Sequence, residues 1–226
     1  MEHDKSTASP AIARARCARW PGRVLRWALL AVLLIVGWRA YDIVFGGNFH
    51  AVAEGQCYRS AQPSAGNLTR IVRRHGIRTV INLRGLQDDE EEEPWYPIEI
   101  RTARALGVKL VHVGLWSFTP PEREEFRLLV RSLADDPGPF LIHCHSGSDR
   151  TGLAAALFLL LRTEATLPQA KHQLSIYYGH FPWGRASCHD RVLDCYGRWL
   201  TSQSKQHSPQ LLRQWALEVY DEHVEP

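Results

Sequence analysis

The chain has 226 residues, 27 of them basic and 24 acidic, with 45% hydrophobic and 23% charged residues and one methionine. That composition excludes a disordered, collagen-like or multi-span membrane chain, and the length suits one domain with an appendage or at most two small domains. No internal period runs through the chain, which sets repeat arrays aside.

The charge is unevenly placed. Residues 1–26 hold Lys5, Arg14, Arg16, Arg19, Arg23 and Arg26 against Glu2 and Asp4, a net +4, so the rest of the chain carries −1. A basic arm on a near-neutral body points to membrane topology, and no nucleic-acid partner is expected. Residues 27–38 follow without a charge. At 1.5 Å per residue they reach only about 18 Å, short of the roughly 30 Å hydrocarbon layer. Extension to residues 24–45 reaches spanning length if Arg26 and Arg39 snorkel and Trp27, Trp38 and Tyr41 sit at the interfaces; Asp42 counts against it. Three readings compete. The arginines before the run disfavour a buried core helix, and Trp38-Arg39-Ala40-Tyr41 offers no small-residue cleavage site for a signal peptidase. An uncleaved signal anchor at residues 24–45 is therefore expected, with a cytoplasmic arm at 1–23 and the domain at 48–226 outside the cytoplasm. Cys17 lies in the arm, and Cys57, Cys144, Cys188 and Cys195 lie in the body. On one helix, Cys188 and Cys195 would stand about 10 Å apart, too far to bridge, so no obligatory disulfide is expected.

The body reads as alternating strands and helices. A short hairpin (NFHAV, then QCYRS) precedes a helix at 67–75 closed by Gly76, a strand at 79–83, a helix at 95–106 closed by Gly107, and a strand at 108–113. Thr119-Pro-Pro-Glu122 has capping-box spacing, and Phe126, Leu129, Val130 and Leu133 recur at helical spacing, so a helix is expected from about Pro121. Residues 139–143 form the next strand. Residues 150–162 form a helix apolar on nearly every face and hence buried. Further helices are expected at 167–178, 186–202 and 209–222. This is an α/β pattern, a mostly parallel central sheet flanked by helices, with ligands at the strand C-termini. The acidic run at 88–93 reads as a solvated loop.

Between the clearest strand and the buried helix lies His143-Cys144-His145-Ser146-Gly147-Ser148-Asp149-Arg150-Thr151-Gly152. A cysteine at a strand end and an arginine opening a helix form a cradle for a tetrahedral oxyanion. Loop N–H groups from His145, Ser146, Gly147, Ser148, Asp149 and Arg150 converge on it, and Gly147 allows the turn. Arg150 offers a fork matching two phosphate oxygens, while the positive field favours a nucleophilic thiolate on Cys144. Thr151 can donate its hydroxyl to the sulfur, and His143 can orient the loop.

The run from His143 to Gly152 resembles the signature of the cysteine-dependent protein-tyrosine phosphatase superfamily. Cys57-Tyr-Arg-Ser-Ala-Gln-Pro63 and Gly76-Ile-Arg-Thr-Val-Ile-Asn-Leu-Arg84 resemble the opening of its bacterial dual-specificity-like members. With Gln173-Leu-Ser and Tyr178-Gly-His-Phe-Pro182, the resemblance spans roughly residues 48–200. It implies phosphate monoester hydrolysis through a phosphocysteine, without a metal or other cofactor. The implied substrates are a phosphorylated protein, lipid or sugar, and the implied location is a bacterial inner membrane. The family usually keeps an aspartate acid about thirty residues before the cysteine, but residues 113–121 contain no carboxylate. Asp149 resembles the placement of the acid in myotubularin-type phosphatases and is the first candidate, with Glu122 or Glu124 second; as an alternative, Asp149 caps the following helix. Arg59 and Arg84 either line the phosphate mouth or form surface ion pairs. His180, His189 and Asp190 lack metal-ligand spacing. Two other functions use such a loop: a phosphate-binding module without turnover and a rhodanese-like sulfurtransferase, against which Arg150-Thr151-Gly152 weighs.

Overall fold

The computed structural model describes residues 20–86 and 95–221, so the acidic run at 88–93 and most of the basic arm lie outside the described residues. Two compact units divide the chain, Met1–Trp38 and Arg39–Pro226. In the first, helix α1 (Trp20–Val44) runs as far as Trp38 with nearly every described side chain exposed. Val24–Val44 is long and apolar enough to cross a bilayer.

The second unit begins with the end of α1. Arg39, expected to snorkel, is instead bound within this unit: it pairs with Asp42 at 2.6 Å, donates to the carbonyl of Tyr177 and lies 3.9 Å from that ring's centre. Asp42 in turn meets His50 Nε2 at 3.2 Å. Both charged residues near the end of the apolar helix thus have partners in the body.

Five short strands follow: β1 (His50–Ala53), β2 (Cys57–Ser60), β3 (Thr79–Asn82), β4 (Lys109–His112) and β5 (Phe140–His143). They form one sheet in the order β1-β2-β5-β3-β4, parallel throughout except for the β1–β2 hairpin. The mostly parallel α/β architecture expected from the alternating pattern is the one observed. Successive strand residues face opposite sides. Val80 and Leu141 join Leu68, Val72 and Ile77 beneath α2 (Ala65–His75). Ile81 and Ile142 join the larger core on the other side, built from α4 (Arg123–Asp135), α5 (Asp149–Arg162) and the C-terminal helices. Helix α5 is buried along nearly its whole length, as its apolar sequence requires.

Between these helices, α3 spans Trp95–Leu106 and α7 spans Cys188–Ser202, which carries both Cys188 and Cys195. Three local expectations fail. Glu122 is the N-cap of α4 and makes no side-chain cap, so the Thr119–Glu122 box does not form. The helix expected over 167–178 breaks into α6 (Leu167–Lys171) and a separate 3-10 turn, Ile176–Tyr178. The last helix also divides, into α8 (Pro209–Gln214) and a π-helical turn, Trp215–Val219.

Register puts chemistry at one edge of this frame. Ser60 pairs with His143, His143 with Asn82 and Asn82 with His112, so four strand C-termini end in one polar row. The loop starting at Cys144 leaves from the middle of that row.

Candidate active site

The loop from Cys144 to Ser148 turns back sharply into α5. Gly147 makes this possible with φ of 73°, and a Cβ there would stand 2.6 Å from backbone atoms of Ser60 and Ala61. No other residue could hold the loop so close to the end of β2. The Gly147 N–H donates to Cys144 Sγ at 3.3 Å, and the Ser148 carbonyl accepts the first helical bond of α5, from Gly152. Thus the sulfur faces both a backbone donor and a fourteen-residue helix's N-terminus, where positive potential collects. Cys144 is buried, Ser148 is buried, and His145 is exposed at the rim. Arg150, the second residue of α5, donates to the carbonyl of Leu115 at 3.2 Å, with that of Leu83 at 3.5 Å. Those bonds hold its fork at the mouth of a cleft of about 760 Å³, shared with Arg84, His145, Trp116 and Glu125.

The loop is held from below by a residue that belongs to none of the expected roles. Arg59, at 0% exposure, donates to the Gly147 carbonyl at 2.8 Å and the Ser148 carbonyl at 3.2 Å. Its other nitrogen donates to the backbone and side-chain oxygens of Gln173, both at 2.8 Å. The guanidinium also lies 3.8 Å from the centre of the Tyr178 ring. Burial lowers its pKa to about 10, and the neighbouring Tyr178, Cys144, Cys57 and Asp149 oppose that shift. By drawing two loop carbonyls downward, Arg59 leaves the opposite side of those peptides to present N–H groups upward. It is neither a mouth residue nor a surface ion pair. Arg84 does border the cleft, stacked 3.7 Å over Trp95. Asn48 adds a second tie from its side-chain amide to the carbonyls of Ser146 (3.1 Å) and Tyr178 (2.9 Å).

A matching support lies behind the cysteine. His143 Nε2 is 2.7 Å from Glu99 Oε1, and Glu99 accepts from Asn82 Nδ2 at 3.0 Å. All three side chains are buried. Glu99 comes from α3, and no local pattern marks it, because its partners are 17 and 44 residues away.

Residues 46–162 match the profile of the Tyrosine phosphatase family. The chain belongs to that family. Solved structures agree on the fold. TpbA of P. aeruginosa, a Cys-to-Ser variant in complex with phosphotyrosine, is 23% identical over 70% of this chain and 91% of its own, with a TM-score of 0.50. Tk-PTP, in a Gly-to-Ala mutant form, is 19% identical over 68% and 97%, with a TM-score of 0.52. PTPMT1 is 16% identical over 69% and 98%, with a TM-score of 0.51. A search of curated proteins finds no match. The membership makes this a cysteine-based phosphatase and sets the sulfurtransferase aside.

Within this phosphatase, the residues singled out in sequence reach different places. Cys144, Gly147, Ser148 and Arg150 come together as expected. The Thr151 hydroxyl is buried and makes no hydrogen bond among the described residues, so the expected bond to the sulfur is not formed in this structure. Glu124 pairs with Arg127 at 2.6 Å and, like Asp149, is not among the residues that line the cleft, whereas Glu122 is. Glu125, which sequence reasoning passed over, accepts from the Gly114 N–H at 2.6 Å inside the same cleft. Asp149 does not cap α5; Ser148 holds the N-cap position. Instead its Oδ1 lies 2.6 Å from His180 Nδ1, and His180 Nε2 lies 2.8 Å from Asp190 Oδ2. Burial by itself would lower the His180 pKa, but hydrogen bonds and charge from the two carboxylates outweigh it and raise the pKa to about 9. His189 faces Cys188 Sγ and the Ala186 carbonyl, so the two histidines do not converge.

Proposed function

We propose that this phosphatase hydrolyses phosphate monoesters through a phosphocysteine on Cys144. The observation that carries the reading is the Gly147 N–H directed at Cys144 Sγ at the N-terminus of α5, with Arg150 in the first turn. Phosphate entering the loop meets backbone donors from His145 to Arg150, and the fork of Arg150 exchanges the carbonyls of Leu115 and Leu83 for two phosphate oxygens. Sulfur attacks phosphorus as the ester oxygen leaves, protonated by Asp149. Water then attacks the phosphocysteine, its proton goes to Asp149, and Cys144 departs as thiolate, aided by the Thr151 hydroxyl once it turns toward the sulfur. Every bond made in this cycle is supplied by the chain and water.

The substrate is a phosphorylated protein, lipid or sugar reached from the membrane surface. Residues 24–45 contain a single-pass anchor, whose last residues, from Arg39, are engaged by the domain, and the positive arm before it favours placing the domain at 48–226 outside the cytoplasm. Hydrolysis of an aryl phosphate by the full chain in detergent, beside Cys144→Ser and with and without a chelator, tests the chemistry. Chelator-resistant turnover lost in the serine variant is the expected result; turnover kept by that variant would overturn it. Reporters fused after Pro226 test the orientation: a periplasm-only reporter should be active and a cytoplasm-only one silent.

A further inference from the structure

The putting together of Asp149, His180 and Asp190 solves a difficulty in the proposed reaction. An aspartic acid with an ordinary pKa near 3.9 holds no proton at neutral pH, so it cannot protonate a leaving alkoxide. In this fold Asp149 is not alone. A 3-10 turn at Ile176–Tyr178 ends at Gly179 with φ of 81°, and a Cβ there would approach Ser148 Oγ to 3.0 Å. That close approach sets His180 against the first residue of α5, while the Tyr178 ring before it stacks on Arg59. From the other side, the first turn of α7 brings in Asp190.

The His180 ring is 0% exposed and has a carboxylate oxygen at hydrogen-bond distance from each nitrogen, 2.6 and 2.8 Å. A ring nitrogen lone pair facing a carboxylate at that distance would be repulsive, so each contact must contain a proton. Two protons are thus shared among three groups. The Asp149 and Asp190 side chains are 23% and 26% exposed, so the buried ring joins two carboxylates that both reach solvent.

The geometry points to His180 and Asp190 as positioning residues that store the catalytic proton for Asp149. This inference rests on the proposed phosphocysteine reaction and on Asp149 as its acid. In the resting site the proton lies between His180 Nδ1 and Asp149 Oδ1. As the P–O bond breaks and the S–P bond forms, Asp149 passes one proton to the leaving oxygen and the unit keeps one, on the ring. Asp190 holds that ring oriented and offsets its charge. When water attacks phosphorus and the S–P bond breaks, the water's proton returns to the unit. The cycle needs no other proton source. A proton kept on the ring up to about pH 9 remains available at neutral pH.

Other groups surround this unit. Burial lowers the pKa of His189, also on α7, and raises the Cys188 thiol to about 11. Arg150 and Arg191 add positive charge near these groups, and burial lowers the pKa of Arg59.

The test compares the full chain with His180→Gln and Asp190→Asn, using an alkyl phosphate and an activated aryl phosphate. Alkyl kcat/KM should stay level through neutral pH and fall near pH 9. Asp190→Asn should move that limb down by a unit or more, and His180→Gln should lower alkyl kcat/KM at least tenfold. Aryl kcat/KM, which reports departure of a leaving group that needs no proton and not the later hydrolysis step, should change less than about threefold. Equal losses on both substrates, or an unmoved limb, would overturn the inference. Cys144-dependent aryl turnover in the same samples separates that result from failure of the phosphatase reading itself. If a variant does not fold, nitrogen NMR of the wild-type chain decides: a His180 ring that titrates near 9 supports storage, and one that titrates near 6.5 overturns it.

Discussion

Replacing Arg59 with methionine tests whether the phosphate loop is shaped from beneath. Its guanidinium donates to four buried oxygens, of Gln173 (two), Gly147 and Ser148. A buried acceptor left without a donor costs about 1–3 kcal/mol, so stranding all four would cost on the order of 4–12 kcal/mol. Against this stands the burial of the cation, whose pKa falls from 12.5 to about 10; at 1.36 kcal/mol per unit, removing it returns about 3 kcal/mol. The expected net loss is about 5 kcal/mol, the middle of what remains. For a domain of this size that lowers Tm by roughly 10–20 °C. Thermal unfolding of the full chain in detergent, followed by near-ultraviolet circular dichroism, measures it. In the fraction that stays folded, kcat for an aryl phosphate should fall at least tenfold, because the loop N–H groups lose their alignment. Arg59→Lys should be intermediate: it keeps the charge and loses the fork stacked on Tyr178. A methionine variant within 2 °C of wild type with unchanged kcat would refute the argument.

Other outcomes follow from the same geometry. Because the His180 pKa is raised in the folded chain, its stabilisation is complete below about pH 6.5 and is lost as pH rises through about 9; about 3 kcal/mol should disappear over that window, and Asp190→Asn should flatten the dependence in denaturant titrations. Gly147→Ala forces a Cβ to 2.6 Å from the Ala61 nitrogen at positive φ, and should cost at least about 2 kcal/mol in a melting experiment while abolishing phosphate binding. Gly152→Ala places a Cβ 2.8 Å from the Gln173 carbonyl that Arg59 uses, so kcat should fall with little change in the circular dichroism spectrum. Asp149→Asn should reduce kcat/KM much more for an alkyl phosphate than for an activated aryl phosphate; equal losses in kcat/KM would assign Asp149 a structural role.

Much of this protein is written locally. Strand and helix periods, the all-round apolar α5 and the turn glycines are short-range signals, and they sufficed for the parallel α/β frame. Cys144, Gly147 and Arg150 were legible for the same reason: the anion cradle is built from consecutive residues, so its spacing along the chain is its spacing in space. Signals that compete locally are less decisive. Thr119 and Glu122 have box spacing, but α4 begins after Glu122, and the segment before His180 breaks where Gly179 must take positive φ.

Only the tertiary structure decided what surrounds the cradle. Arg59 looks in sequence like any strand-end arginine; it becomes a buried support because β2 lies beside β5 and Gln173 closes over it from 114 residues away. Glu99 meets His143, and Asp149 meets His180 and Asp190, through contacts between separate helices and loops. A side chain's role depends on its neighbours and its access to water, and for these residues both are set by sheet order and helix packing, which no single segment encodes.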